Sequence, residues 1–246
     1  MSADRTTHTA DDLLTLLDTV FAGDRDRTGA AAAPWWDLFY ADPDRPAPFL
    51  TSAPDGSLVD WLEHGPVPGG GHALDLGCGI GRNAVHLARQ GFTVVAVDLS
   101  PVAITRTRDL AARAGVTVDA RAVDVFSAAP GLGRGYDLVH DSGLFHHLPP
   151  HRRLSHLALL DEVLAPGGYL SLTCFGAAPA ASEVPDAELY RSGDLGGGLS
   201  YPADALRTIF GHLDEIDLRP MRDEPPDSGR FGEPFLWAAL FRRPQN

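Results

Sequence analysis

The run Ala73-Leu-Asp-Leu-Gly-Cys-Gly-Ile-Gly-Arg-Asn83, followed by Phe92-Thr-Val-Val-Ala-Val-Asp98, constrains this chain more than any other segment. An apolar stretch, three alternating glycines, a helical stretch and a β-branched stretch ending in a carboxylate describe a strand, a tight turn, a helix and a second strand. Gly77, Gly79 and Gly81 lack a Cβ, so the turn can adopt unusual dihedrals and a ligand can approach its backbone closely. The helix that follows, Arg82 to Gln90, starts with free N–H groups directed at the same place. Asp98 ends the next strand, where a carboxylate can take the two hydroxyls of a ribose. The unit suits a nucleoside.

The spacing narrows the ligand. A dinucleotide fingerprint is G-x-G-x-x-G, with a pyrophosphate on the helix. Here it is G-x-G-x-G with Asp75 just upstream, and a carboxylate beside the ligand attracts a cation and repels a pyrophosphate. The run Asp75 to Asn83 resembles motif I of the class I S-adenosylmethionine-dependent methyltransferases, whose cofactor carries a sulfonium and an ammonium and no phosphate. The resemblance covers roughly residues 57–243. It implies a Rossmann-like α/β fold: a seven-stranded, mostly parallel sheet with helices on both faces and an antiparallel last strand. Gly81-Arg-Asn83, Gly91 to Asp98, the Pro166-Gly-Gly-Tyr169 turn and a late helix around Leu199–Phe210 are similar to the tellurite-resistance and thiopurine S-methyltransferase group. That subgroup methylates soft chalcogen nucleophiles on small molecules.

Composition limits the partners. The 33 acidic residues face 20 basic ones, all arginine, for a formal net charge of −13, which disfavours nucleic acid, since that affinity rests on neutralising phosphates. No apolar run is long enough to span a bilayer. The N-terminus lacks a basic segment followed by an apolar block, so a cytoplasmic protein is expected. Cys78 and Cys174 fit neither a disulfide framework nor a metal spacing. The lack of lysine beside abundant Ala, Arg, Gly and Pro fits a GC-rich bacterial coding bias.

Along the chain, Thr9-x-x-Asp12 predicts a capping box for a helix ending at Phe21, with Leu13, Leu14, Leu16, Leu17, Val20 and Phe21 forming one apolar face. A Gly/Ala/Asp-rich linker (23–33), the aromatic block Trp35–Tyr40 and a proline-studded stretch precede a short helix at Ser57–His64. Strands are expected at Ala73–Leu76, Thr93–Asp98, Val118–Ala122, Tyr136–Asp141 and Tyr169–Cys174. Helices are expected at Arg82–Gln90, Pro101–Ala114 and His151–Leu164, with an irregular link at Phe126–Arg134. Gly176–Leu199 is read as a loose, lid-like insertion, followed by a helix at Tyr201–Phe210 and two closing strands, Glu215–Met221 and Phe235–Phe241. Residues 1–56 are therefore expected to form a helical, aromatic cap segment, and 57–246 the methyltransferase domain.

The resemblance and the switch point of the sheet, between the first and fourth strands, assign cofactor contacts to Asp75, Gly77, Cys78, Gly79, Arg82, Asn83, Asp98, Leu99, Asp141 and Ser142. Asp124 matches the family position that meets the adenine amino group, with Val125 and Phe126 beside it. His146 and His147 follow the fourth strand near the expected methyl group. Histidine suits a neutral-pH base, and His146 is the first choice; the alternative is that one of the pair packs as a loop residue or helps fix the cofactor. Trp36, Tyr40, Phe145 and His146 are candidates for the acceptor side, aromatic faces being attractive to sulfonium and ammonium groups. Pro149 and Pro150 break any metal-ligand spacing among His146, His147 and His151, so no metal is expected.

The functional expectation is methyl transfer from S-adenosylmethionine to a small-molecule acceptor, a thiol or other chalcogen ahead of a hydroxyl or amine. A thiol leaves some thiolate at neutral pH and needs little base assistance. The alternatives are O- or N-methylation with a histidine base, and a cofactor-binding module that transfers nothing. The sequence leaves the oligomeric state open.

Overall fold

The alternating apolar runs fold into one seven-stranded sheet in the order β3-β2-β1-β4-β5-β7-β6. In this computed structural model the described residues are 6–22, 27, 29–42, 45–128, 131–177, 181–225 and 227–245. The strands are β1 Gly71–Leu76, β2 Phe92–Asp98, β3 Asp119–Ala122, β4 Tyr136–Ser142, β5 Leu164–Phe175, β6 Asp214–Pro220 and β7 Leu236–Arg242. The first five pair in parallel, and β7 runs antiparallel to both β5 and β6. Only β7 is thus reversed, as expected. Because side chains alternate across a strand, Leu74 and Leu76 enter one core cluster and Ala73 the other.

The helices cover both faces: α1 Ala10–Phe21, α2 Ala33–Ala41, α3 Gly56–Glu63, α4 Arg82–Arg89, α5 Pro101–Ala114, α6 Val125–Ala128, α7 Arg152–Val163, α8 Asp186–Ser192 and α9 Ala203–Ile209. The capping box at α1 is present, with the Thr9 hydroxyl accepting from Asp12 N–H and the Asp12 carboxylate from Thr9 N–H. Its apolar residues do not share one face. Phe21 is buried, whereas Leu13 and Leu16 are about half exposed and Val20 is exposed too. Six apolar residues in nine positions wrap further around a helix than one contact can cover. The aromatic block Trp35–Tyr40 is helix α2, with Pro34 in its first turn.

Three expectations change. The link after β3 holds the single-turn helix α6, and the segment 176–199 contains α8, so it is partly ordered. Ala165–Gly168 is no separate turn but an irregularity inside β5, where the pairing jumps from Tyr136↔Leu164 to Leu138↔Tyr169. A Cβ on Gly168 would lie 2.8 Å from Tyr136 O, so only glycine lets the two strands close there. Of the 23–33 linker, residues 23–26 and 28 lie outside the described residues; Ala30–Ala32 forms a 3-10 turn into α2.

Two anchors fix the N-terminal elements to the sheet. Asp37 on α2 accepts from the Ser100 hydroxyl at 2.5 Å and from Val102 N–H at 3.2 Å, sitting at the start of α5, where a helix end carries free N–H groups and partial positive charge. Asp55, just before α3, is fully buried. Its carboxylate pairs with Arg82 at 2.5 Å and accepts from the Thr173 hydroxyl at 3.1 Å, and its N–H donates to Asn83 Oδ1 at 2.9 Å. Burial alone raises a carboxyl, but Arg82 and His140 outweigh it and hold Asp55 well below the usual carboxylate range. Removing one partner of such a pair strands the other charge in the interior, so Asp55→Ala is expected to cost about 3–5 kcal/mol in a urea unfolding titration.

Candidate active site

The switch point between β1 and β4 opens onto a cavity of about 540 Å³. It lies beyond the carboxyl ends of the strands, where open α/β sheets bind their ligands. Gly79 and Gly81, at φ +54° and +84°, need glycine for two reasons. Both sit in the left-handed region. A Cβ would also meet the Tyr40 hydroxyl at 3.1 Å in one case and Thr107 Cγ2 at 2.6 Å in the other.

One end of the cavity is acidic. Asp75, at the end of β1, is 1% exposed, and its Oδ2 is buried without a hydrogen-bond partner. Burial pushes its carboxyl up to about 6, against the lowering influence of His140 and Arg82. Asp98 accepts from Gly79 N–H at 2.9 Å and Ser100 N–H at 2.8 Å, yet burial still raises it to about 6. Each of its oxygens keeps a second lone pair for a ligand hydroxyl. Asp124 uses its carboxylate to cap α6, accepting from Phe126 N–H at 3.0 Å and the Ser127 hydroxyl at 3.1 Å. Arg82 reaches this wall with Nη2 donating to Ser142 Oγ at 3.1 Å, Nη1 to Ala53 O at 3.2 Å, and its plane over the Phe231 ring at 4.3 Å.

The other end, among the described residues, is lined by aromatic rings and Arg27. Trp36 and Tyr40, one turn apart on α2, stack at 5.8 Å, and Trp36 meets the edge of His147 at 5.1 Å. His146 lies flat on Phe175 with ring centroids 3.8 Å apart. Both imidazoles sit on the 3-10 turn Phe145–His147, and both Nδ1 atoms are buried without a partner. Burial, reinforced by His147, holds His146 well below the usual histidine range; burial and then Arg27 bring His147 to about 4. The Arg27 guanidinium rests on Trp35 at 3.5 Å.

Most of the sequence-predicted residues meet here: Asp75, Gly77, Cys78, Gly79, Arg82, Asn83, Asp98, Leu99, Asp124, Val125, Phe126, Ser142, His146, His147, Trp36 and Tyr40 all line the cavity. Asp141 and Phe145 do not. Asp141 is fully buried behind the wall, accepting from Phe145 N–H at 3.2 Å and lying 2.9 Å from His156 Nε2. The Phe145 ring packs inward against Tyr201 and Phe210. The two therefore hold the histidine turn rather than face a ligand. His151 sits apart, between Asp18 at 2.8 Å and Tyr190 at 3.0 Å. Among the described residues no cluster of His, Cys, Asp and Glu is placed to hold a metal, and no helix is long and apolar enough to cross a membrane.

Sequence reading missed Asp55, buried against Arg82, and the cavity-lining Arg27, Ala47–Leu50 stretch, Phe175 and Phe231. Pro-rich and glycine-rich segments carry no periodicity that points inward. Only the buried position of an aspartate before α3 could have been sought, as a partner for Arg82.

Comparisons with known proteins agree with the geometry. The family described as "Methyltransferase domain" matches residues 73–168. A ubiquinone biosynthesis O-methyltransferase of Xanthomonas axonopodis pv. citri is 31% identical over 157 residues, 63% of this chain and 62% of that protein. A 2-heptyl-1-hydroxyquinolin-4(1H)-one methyltransferase of Mycobacteroides abscessus is 29% identical over 56% of this chain and 60% of that one. The chain thus spans less than two thirds of the length of these curated relatives. A solved structure from work on conversion of a disulfide bond into a thioacetal group during echinomycin biosynthesis is 27% identical, with TM-score 0.67, covering 87% of this chain and 92% of that one. A TehB-like protein of Corynebacterium glutamicum, 21% identical with TM-score 0.53 over 87% of this chain and 96% of its own, shares the fold.

The two raised carboxyls give a signed expectation for stability. A carboxyl whose folded value exceeds its unfolded one stabilises the fold below pH 4 and loses that contribution as pH rises towards 6. Asp75 moves from 3.8 to about 6, roughly 3 kcal/mol at about 1.4 kcal/mol per unit. Asp75→Asn is expected to raise the unliganded protein's Tm at pH 7 and to flatten its decline between pH 4 and 6, as read by thermal melts across that range.

Proposed function

We propose, from the premise that the chain belongs to the class I S-adenosylmethionine-dependent methyltransferases, that it methylates a small molecule at a sulfur or other chalcogen atom. The unpartnered Asp75 Oδ2 carries the cofactor reading. A buried carboxylate oxygen without a donor is costly, and the ligand ammonium is the group that relieves it. The residues fit the rest of that ligand: the glycine turn gives close backbone approach, Asp98 keeps lone pairs for ribose hydroxyls, and Arg82 offers a cation to a carboxylate. Val125 and Phe126 give a flat apolar wall for the base. When bound, S-adenosylmethionine supplies an electrophilic methyl group on a sulfonium.

What remains for the protein is alignment and exclusion of water. Trp36 and Tyr40 from α2, Phe175, His146, Gly196 and Gly197 line the cavity. Residues 1–56 act as the cap, 57–246 as the transferring domain, and 176–199 as its lid. A sulfur acceptor is favoured because both imidazoles are neutral and weakly basic, which serves a thiol better than an unactivated alcohol. The thioacetal-forming structural relative also works on sulfur, as its description states. The second reading, O-methylation, draws on the two curated relatives, one of them named an O-methyltransferase.

Purified protein with S-adenosylmethionine and a panel of thiols, phenols and amines is expected to yield S-adenosylhomocysteine with thiols first, detected by mass spectrometry; product with phenols alone would move the assignment to oxygen. Asp98→Ala is expected to abolish turnover. Asp75→Asn is expected to weaken S-adenosylhomocysteine binding at pH 7 by about tenfold or more in calorimetry, the loss of one charge-assisted contact. In the unsubstituted protein the affinity falls as pH drops below about 6, where Asp75 takes a proton.

A further inference from the structure

Three polar side chains lie in one row across the middle of the sheet. Asp75 on β1 pairs with His140 on β4, and His140 pairs with Ser171 on β5. Paired residues of parallel strands project to the same face, here that of the apolar cluster formed by Ala73, Leu138, Leu58 of α3 and Leu87 of α4. Ala96 on β2 and Leu240 on β7 continue the row on either side. Parallel strands covered on both faces are ordinarily apolar throughout. Here His140 and Ser171 are fully buried and Asp75 is 1% exposed. Polar groups placed there need partners.

Two atoms of the row go without one. His140 Nδ1 lies 2.9 Å from Ser171 Oγ, and a hydroxyl can accept from that nitrogen or donate to it. His140 Nε2 has no hydrogen bond and stands 3.6 Å from Asp55 Oδ2; Asp75 Oδ2 has no hydrogen bond either. The remaining charged and titratable groups around the ring come from three elements. Asp55, before α3, pairs with Arg82 of α4 and accepts from Thr173. His86, also on α4, is held below the usual histidine range, by burial first. Asp141, next along β4, projects to the opposite face, 2.9 Å from His156 Nε2. With Asp55 and Arg82 cancelling, a carboxyl and an imidazole on adjacent strands are left to each other. Burial is the largest influence on Asp75, and the strongest charge opposing it is that of His140, ahead of Arg82.

Resting on the S-adenosylmethionine reading, we propose that His140 is a positioning residue for the cofactor's ammonium: the free protein keeps a proton on His140 Nε2 as counter-ion to Asp75, and the ammonium replaces it. The proton leaves to solvent through the cavity that Asp75 lines. What stays is a carboxylate for the ammonium, with a neutral imidazole behind it held by Ser171. If the ring kept its proton, two cations would share one buried carboxylate, and like charges at that range disfavour each other. The imidazole thus makes a buried carboxylate tolerable before the ligand arrives and gives way afterwards. One cation is exchanged for another.

The test follows the histidine ring nitrogens by NMR in protein carrying nitrogen-15 histidine, titrated from acid to neutral pH with and without saturating S-adenosylhomocysteine, which has the same ammonium. The His140 signal is identified by its absence in His140→Gln. Saturation is expected to lower the pH at which this ring loses its proton by about one unit or more, the effect of a nearby like charge. Asp75→Asn is expected to lower it by a similar amount without ligand, by removing the opposite charge. Calorimetry of the unsubstituted protein in two buffers of different ionisation heat is expected to count about one proton released per ligand, at a pH where the free ring is still charged. A ring that titrates alike in free and saturated protein, or stays neutral in both, overturns the proposal and leaves His140 a structural residue. A titration that Asp75→Asn leaves in place overturns it too. Failure of S-adenosylhomocysteine itself to bind, by calorimetry, overturns the cofactor reading on which it rests.

Discussion

The buried pair between Asp55 and Arg82 is the interaction around which the site is assembled. Arg82 begins the helix after the glycine turn, and Asp55 comes from the segment before α3. Thr173 on β5, Ser142 on β4 and Phe231 from the loop before β7 all reach the same two residues. The pair thus draws five separate segments to one point under the cavity. Ion pairs of this kind add little net stability compared with apolar packing, and their better-attested use is to fix one arrangement over others. Here that arrangement sets where a guanidinium meets the cavity wall.

The cavity is electrically lopsided, and the fold explains why. Strand ends deliver carboxylates, Asp75 from β1 and Asp98 from β2, because that is where the backbone stops pairing and side chains can turn to a ligand. The opposite wall comes from α2, the 3-10 turn after β4 and the segment before β6, which contribute rings and glycines. A cationic ligand is therefore sorted to one end and a flat or soft one to the other before any single contact is made.

The strand–turn–helix–strand unit from 73 to 98 was legible because it carries its own periodicities and glycine spacing, and the structure keeps its bounds within two residues. The parallel, doubly wound character of the sheet followed from alternation of strands and helices, while its strand order came from the structure. The cap was harder. Its aromatic block announced burial but not direction, since Trp36 and Tyr40 are positioned by Asp37 gripping the start of α5, a contact 63 residues away in sequence. Asp141 and Phe145 were misplaced for a related reason: position at the end of β4 identifies the turn, but Asp141 stays behind the wall and the 3-10 turn sends Phe145 into the core while His146 and His147 line the cavity. The α1 helix shows the converse, with apolar residues in the pattern that the fold leaves partly uncovered.

The reversed β7 has a consequence for assembly. It is synthesised after β6 yet lies between β6 and the rest of the sheet. Until β7 is in place, β6 has no strand to pair with and β5 presents an open edge. The last of these seven strands in sequence is thus an interior one, and closing the sheet is an insertion, not an addition at the rim. Non-local pairing of this kind is slow relative to helix formation. The Rossmann-like half that carries the glycine turn can be in register before that insertion, so the ligand site's first wall precedes the completed sheet.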